Sequence, residues 1–380
     1  MLKLTWARAA AWRVRRHHLD ERAPAGSMLA VASSVCGLHA QVMSSALLSV
    51  WARVEDLDRR AVHRALWEER TLVKTWAMRG TLHLLPTSEL TLWHAALSTN
   101  PRYRRPAFWR RFGLTLGELD RLTEAIGAAL DGCVITREEL AQKVRGLTAS
   151  AKFGTKLAAG SWGTILKPAA FAGSLCFGPS VGPRVRFTRP DTWIAASPLA
   201  ADLPVAPQAA QTEVARRYLA AYGPATYHDL ARWWGGGGVF TARQLIAALG
   251  EEVSAIDLAG TKAWMLTTHA SETLDLPPVR SVSLLPAFDH YVVAASRHAE
   301  HLLPGDLRSR VYRPQGWISP VLLVNGIMQG VWRHEIKGSR VEVAIEPFAK
   351  PPAWVRRAAE QEAERLAAFL GGTLNLVWKS

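Results

Sequence analysis

Thr71-Leu72-Val73-Lys74-Thr75-Trp76-Ala77-Met78-Arg79-Gly80-Thr81-Leu82-His83-Leu84-Leu85-Pro86 is the stretch on which the fold turns. Two runs rich in apolar and β-branched residues flank Arg79-Gly80, which predicts strand, turn and strand. Upstream, an apolar helix is expected from Val42 to Val50, closed by Arg53-Val54-Glu55-Asp56. A second is expected over residues 57–68, with Val62, Leu66 and Trp67 facing inward. Two helices followed by a hairpin make a winged-helix pattern.

The pattern recurs. Thr115-Leu116-Gly117-Glu118-Leu119 opens a helix that runs to about Leu130. In Thr136-Arg137-Glu138-Glu139-Leu140, Thr136 is placed to cap a helix and Glu139 to answer it as the capping-box partner. An apolar helix is expected over residues 162–171, then a hairpin from Leu175-Cys176-Phe177 to Arg184-Val185-Arg186-Phe187, turning through residues 178–183. Its returning strand alternates Arg with apolar residues, which aims Arg184 and Arg186 off one face. Residues 190–207, rich in Pro and Ala, read as a linker.

A third unit follows: helices over residues 213–222, 227–234 and 241–249, the first stopped by Gly223-Pro224, and a strand over 264–268. The tail predicts strands over 281–291, 317–324, 327–333, 341–347 and 374–378, with Asn325-Gly326 as a hairpin turn and a closing helix over 354–370. The N-terminal residues 2–20 predict a short helix with a basic face. The expected fold class is therefore α+β, with tandem winged-helix domains and a C-terminal α+β region. The expected domains are 1–112, 113–200, 201–278 and 279–380. No exact sequence period links the repeated units, so the repeat is architectural.

Length and charge narrow the class. A chain of 380 residues suggests two to four compact units. The net charge of +14 favours a polyanionic partner, nucleic acid before an anionic membrane surface. The excess is carried mostly by Arg, whose fork suits phosphate and guanine edges, although a GC-rich genome also inflates Arg. Cys36, Cys133 and Cys176 are far apart and form no CxxC pair, so neither a zinc site nor a disulfide framework is suggested, and the odd count fits a reducing cytoplasm. There is no secretory signal and no window apolar enough for a membrane span. No metal or cofactor is called for, and a monomer is the default.

The candidate chemistry lies in Gly37-Leu38-His39-Ala40-Gln41. Residues two apart point to the same side only in an extended segment, so a turn at Gly37 would project His39 and Gln41 together ahead of the helix near Val42. Two such groups facing one spot can hold and polarise a water. A His and a Gln beside a core helix are more often simply satisfied polar residues.

Five segments, in order, resemble the AlkZ/YcaQ family of winged-helix DNA glycosylases. They are residues 37–41, Thr75 to His83, Tyr222-Gly223-Pro224-Ala225-Thr226, Leu284 to Tyr291, and Trp317 to Trp332. The resemblance spans nearly the whole chain, and the Trp-Ala-Met-Arg-Gly-Thr-Leu-His string is its most specific part. It implies a concave, C-shaped arrangement of winged helices embracing double-stranded DNA. It also implies removal of bulky N7-alkylated purines, crosslinked nucleotides included. His39-Ala40-Gln41 stands where that family carries its catalytic motif, in a His–Gln form closer to the AlkZ-like branch. The sequence departs from relatives at residues 294–298, so no role passes to Arg297 or His298.

On that basis His39 is expected to act as base or water polariser and Gln41 to position the water, because a Gln carbonyl orients but does not take a proton. Monofunctional hydrolysis is expected. A lyase would need an amine such as Lys74 or Lys152, and no motif marks either. Arg79, Arg184 and Arg186 are the candidate DNA contacts. Trp233, Trp234 and Trp332 read as core, and Asp289 as structural. The competing class is a non-catalytic winged-helix DNA binder, a regulator or lesion sensor, because fold alone does not give function.

Overall fold

In the computed structural model, which describes residues 1–159, 161–194, 205–295 and 299–379, helices and short strands alternate in a mixed α+β pattern. The chain divides into two compact units. The first comprises Met1–Val62, Arg216–Asp229 and Leu249–Ser380, the second His63–Ala215 and Leu230–Ala248.

The first unit is built on a five-stranded sheet in the order Val282–Leu285, Val321–Val324, Ile327–Lys337, Arg340–Pro347, Thr373–Trp378. Neighbours are antiparallel except the last pair, which is parallel and so requires the crossover helix Ala353–Phe369. Asn325 and Gly326 have φ of 52° and 82°, the left-handed pair that a two-residue hairpin needs. A Cβ on Gly326 would meet Ala10 Cβ at 2.9 Å, so the turn also requires a residue without one. Leu284, Leu285, Val341, Val343 and Ile345 of the sheet pack with Val355, Ala359 and Leu366 of the crossover helix. Leu48 and Trp51, from the helix Met43–Trp51, enter the same core.

A second sheet in this unit corrects the expectation for the N-terminus. Leu2–Leu4 is a strand, parallel to Val253–Leu258, and the helix begins only at Trp6, capped by Thr5. A three-residue strand carries no periodic signal of its own; Leu4 is buried because Ile256 and Leu258 lie beside it. Two further corrections concern the tail. The strand expected over residues 281–291 stops at Leu285, since Pro286 cannot donate to a ladder. The strand expected over 317–324 begins only at Val321.

In the second unit, the hairpin pairs Leu72–Trp76 with Leu82–Pro86 through a 3₁₀ turn at Met78–Gly80, where Arg79 sits at φ 60°. Both capping boxes form, Thr115 with Glu118 and Thr136 with Glu139, and open the helices Leu116–Leu130 and Arg137–Thr148. The second hairpin pairs Cys176–Val181 with Arg184–Thr188, so its turn is tighter than expected, at Gly182-Pro183. Trp76 packs edge-on against Phe177, their ring centroids 4.7 Å apart, which ties the two hairpins together. Of the expected linker, residues 190–194 are helical and 195–204 lie outside the described residues, as do Ser296, Arg297 and His298. No helix among the described residues is long and apolar enough to cross a membrane.

Candidate active site

The His39 segment is an interruption between two helices. Met28–Ser34 ends where Cys36 and Gly37 enter the left-handed region, at φ of 61° and 91°, and the Gly37 N–H closes the turn on Ala32 O at 2.7 Å. Leu38–His39 is then extended, and Val42, also extended, starts the helix Met43–Trp51. Of the expected entry only Leu38–His39 is strand; Gln41 lies beyond it, in a bend. His39 is buried, at 6% exposure, whereas Gln41 is exposed.

An aromatic ring covers the imidazole. The Phe288 ring lies over His39 at a centroid distance of 5.6 Å and an interplanar angle of 18°. Phe288 has φ 58°, a conformation that a bulky residue adopts only when its surroundings hold it there. The residue after it supplies the hold. Asp289 is fully buried and accepts Arg53 Nη1 and Nη2, each at 2.8 Å, one on each oxygen. Ser49 Oγ donates to Oδ2 at 2.9 Å and the Tyr291 N–H to Oδ1 at 2.9 Å. Arg53 also donates to Ser49 O at 2.8 Å. The carboxylate thus receives four hydrogen bonds, a full complement for a buried anion. Ser49 lies in the last turn of the helix Met43–Trp51 and Arg53 just past its end, so one clamp ties that helix to the Phe288 loop. The structural reading of Asp289 is legible here; its partner Arg53 is not, since nothing in the sequence couples residues 236 apart.

Behind the clamp lies a second pair of rings. His17 stacks on His290 at 5.3 Å, and its Nε2–H donates to Ala221 O at 3.1 Å. Burial, then the neighbouring His290, pushes the His17 imidazole well below its ordinary range, so it is neutral at pH 7.

In the second unit, Arg184 is exposed on its strand, while Arg186 is half-buried with Nε donating to Pro179 O at 2.7 Å. Arg79 is partly buried, and its Nη1 donates to Trp233 O at 3.2 Å. A Cβ on Gly235 would lie 2.6 Å from Arg79 Cα, which shows how tightly this turn is packed. Lys152 is paired with Glu118 at 2.6 Å. Lys74 lies over the Phe177 ring at 5.3 Å, and desolvation lowers its pKa. Trp233, Trp234 and Trp332 are buried.

Residues 32–369 match the family model described as DNA glycosylase AlkZ-like. The chain is 36% identical over 376 residues to an interstrand DNA cross-link repair glycosylase of Streptomyces sahachiroi, covering 97% of this chain and 98% of the relative. It is also similar to the solved structure of Streptomyces sahachiroi DNA glycosylase AlkZ, with a TM-score of 0.87, 35% sequence identity and coverage of 99% of this chain and all of that one. Match length, identity and shared fold agree, and the chain belongs to the AlkZ-like family of DNA glycosylases.

Proposed function

We propose that this enzyme hydrolyses the N-glycosidic bond of N7-alkylated purines in double-stranded DNA, bulky adducts and interstrand crosslinks among them, and leaves an abasic site. The observation that carries this reading is a His39 covered by the Phe288 ring with an exposed Gln41 two residues on, just ahead of the helix Met43–Trp51. The interstrand cross-link named for the Streptomyces sahachiroi relative supports the choice of lesion.

Alkylation at N7 makes the purine cationic, so the base leaves without being protonated. What the enzyme must supply is a placed water and stabilisation of an oxocarbenium-like transition state. In this mechanism the Gln41 carbonyl orients the water. Its oxygen bonds to the sugar C1′ as the C1′–N9 bond breaks, and that electron pair returns to the ring and cancels the purinium charge. The water proton passes to the imidazole of His39 and then to solvent. Stacking on Phe288 keeps the imidazole from turning away. No amine nucleophile is involved, so the chain is not nicked.

DNA is held, on this reading, by tandem winged helices: the hairpins at 72–86, 176–188 and 253–266 each follow helices and serve as wings, with Arg184, Arg186 and Arg79 as phosphate contacts. A bulky lesion, on this reading, stays in or near the duplex rather than entering a closed pocket. The test is release of free base from N7-methylguanine DNA and from a bulky N7 adduct, measured by mass spectrometry. Wild type is expected to release both, and His39→Ala with Gln41→Ala to release neither above the spontaneous rate. Equal release by both proteins refutes the assigned roles. Tight, salt-sensitive binding with no release by wild type returns the chain to the regulator reading.

A further inference from the structure

Among the described tryptophans, Trp317 alone is exposed, at 46%. It is not held by burial, yet it is firmly placed. Tyr312 and Ile318 form a bridge that closes its loop, the Arg313 N–H donates to Trp317 O at 2.9 Å, and the Trp317 N–H donates to Pro314 O at 3.4 Å. The tip turns through Gln315 and Gly316, both left-handed at φ of 60° and 78°. The indole meets the Phe288 ring edge-on at 4.9 Å, and Phe288 in turn covers His39. A rigid, solvent-facing indole thus stands two ring contacts from the imidazole.

Beside it lies a cleft of about 530 Å³ lined by Trp317, Arg310, Arg313, Arg333 and Lys379, with Glu346 as its acidic member. Glu346 is paired with Arg310. Arg313, Arg333 and Lys379 are exposed, and none has a side-chain carboxylate within ion-pair distance among the described residues. A lone exposed apolar residue needs no explanation, but an indole fixed at the edge of a cleft with three uncompensated cations has the composition of a site for a base and its phosphates.

We propose that Trp317 stacks on the alkylated purine itself, while Arg313, Arg333 and Lys379 hold phosphates of the same strand. The chemistry selects the lesion. An N7-alkylated purine carries positive charge, and the negative face of an indole attracts a cation more strongly than it attracts a neutral base. Trp317 would then supply preference for damaged over undamaged DNA, and the cleft would supply affinity without preference. This deepens the proposed hydrolysis and rests on it for the identity of the lesion.

The test uses the full chain and two duplexes that differ by one base. One carries 2′-fluoro N7-methyldeoxyguanosine, whose glycosidic bond resists cleavage; the other is undamaged. Fluorescence anisotropy gives the Kd for each. Wild type is expected to prefer the lesion by roughly five- to thirty-fold, the range for a single stacked cation. Trp317→Phe should keep most of that ratio, and Trp317→Leu, which is apolar but has no ring, should reduce it to near one. Arg313→Ala, Arg333→Ala and Lys379→Ala should each flatten the salt dependence on both duplexes by about one contact and leave the ratio intact. A Leu variant with the wild-type ratio, or three cleft variants with the wild-type salt slope, overturns the proposal. Base release assayed in parallel separates the two readings. Release by wild type with no effect of Trp317→Leu sinks this inference alone, whereas loss of the ratio in Trp317→Leu without release by wild type supports the contact and refutes the hydrolysis.

Discussion

Replacing Asp289 by Asn should cost far more than a change of one atom suggests. Arg53 and Asp289 are each fully buried, and among the described residues the carboxylate is the only counter-charge within ion-pair distance of that guanidinium. Asn keeps one acceptor but turns the other into an NH₂ that faces two donors, an Arg53 Nη together with either Ser49 Oγ or the Tyr291 N–H. A cation is then left in the core without its charge partner. Breaking a buried ion pair from one side typically costs about 3–5 kcal/mol, against a whole-domain stability of roughly 5–15 kcal/mol. For a unit of this size that corresponds to a fall of about 10 °C in melting temperature.

Activity should fall for a separate reason, because the clamp holds Phe288 in its left-handed conformation over His39. The double replacement Arg53→Met with Asp289→Leu separates the two effects. It removes both charges and fills their space, so it should recover much of the melting temperature while base release stays slow. Circular dichroism melts and single-turnover release of N7-methylguanine make the measurement. An Asp289→Asn protein that melts within about 2 °C of wild type would show that the clamp is not what stabilises this unit. A double variant with wild-type turnover would show that Phe288 needs no clamp to cover His39.

Arg184→Ala should reduce the salt dependence of duplex binding by about one phosphate contact, and Arg186→Ala by less, since its Nε is already engaged by Pro179 O; equal slopes would mean that the hairpin does not touch DNA. Thr136→Ala removes one half of a capping box and should destabilise the second unit by about 1 kcal/mol in a denaturant titration. Burial pulls the His94 imidazole down to about 4 from its ordinary 6.5. The unfolded chain therefore binds a proton that the folded one refuses between those values, so stability falls as pH drops through this window. The loss is on the order of 3 kcal/mol, and His94→Gln should lessen it in melts recorded from pH 7 to pH 4.

Local chemistry made much of the fold readable. The Thr136–Glu139 box, the Asn325-Gly326 turn and the hairpin around Arg79 each depend on residues within a few positions of one another. The alternation that put Arg184 and Arg186 on one face is also local. What escaped were features made by distant chain. Leu2–Leu4 is a strand only because residues 256–258 lie beside it, and the Trp317 loop is set by a bridge and two left-handed residues rather than by β propensity. At the candidate site, residue types and spacing marked His39 and Gln41 as a pair, and the catalytic role expected of them came from the family resemblance. The ring that covers His39 and the Asp289 carboxylate behind it come from residues more than two hundred positions away, where periodicity carries no information.

The short strand at Leu2–Leu4 has a practical consequence. It flanks Val253–Leu258, and the Leu4 carbonyl accepts the Ala259 N–H at 2.9 Å. Trimming the first four residues would turn an interior strand of that sheet into a bare edge lined by Ile256 and Leu258, and bare edges invite other chains to pair with them. A shortened protein should keep its fold and yet clump on concentration, while one lengthened ahead of Met1 should stay dispersed.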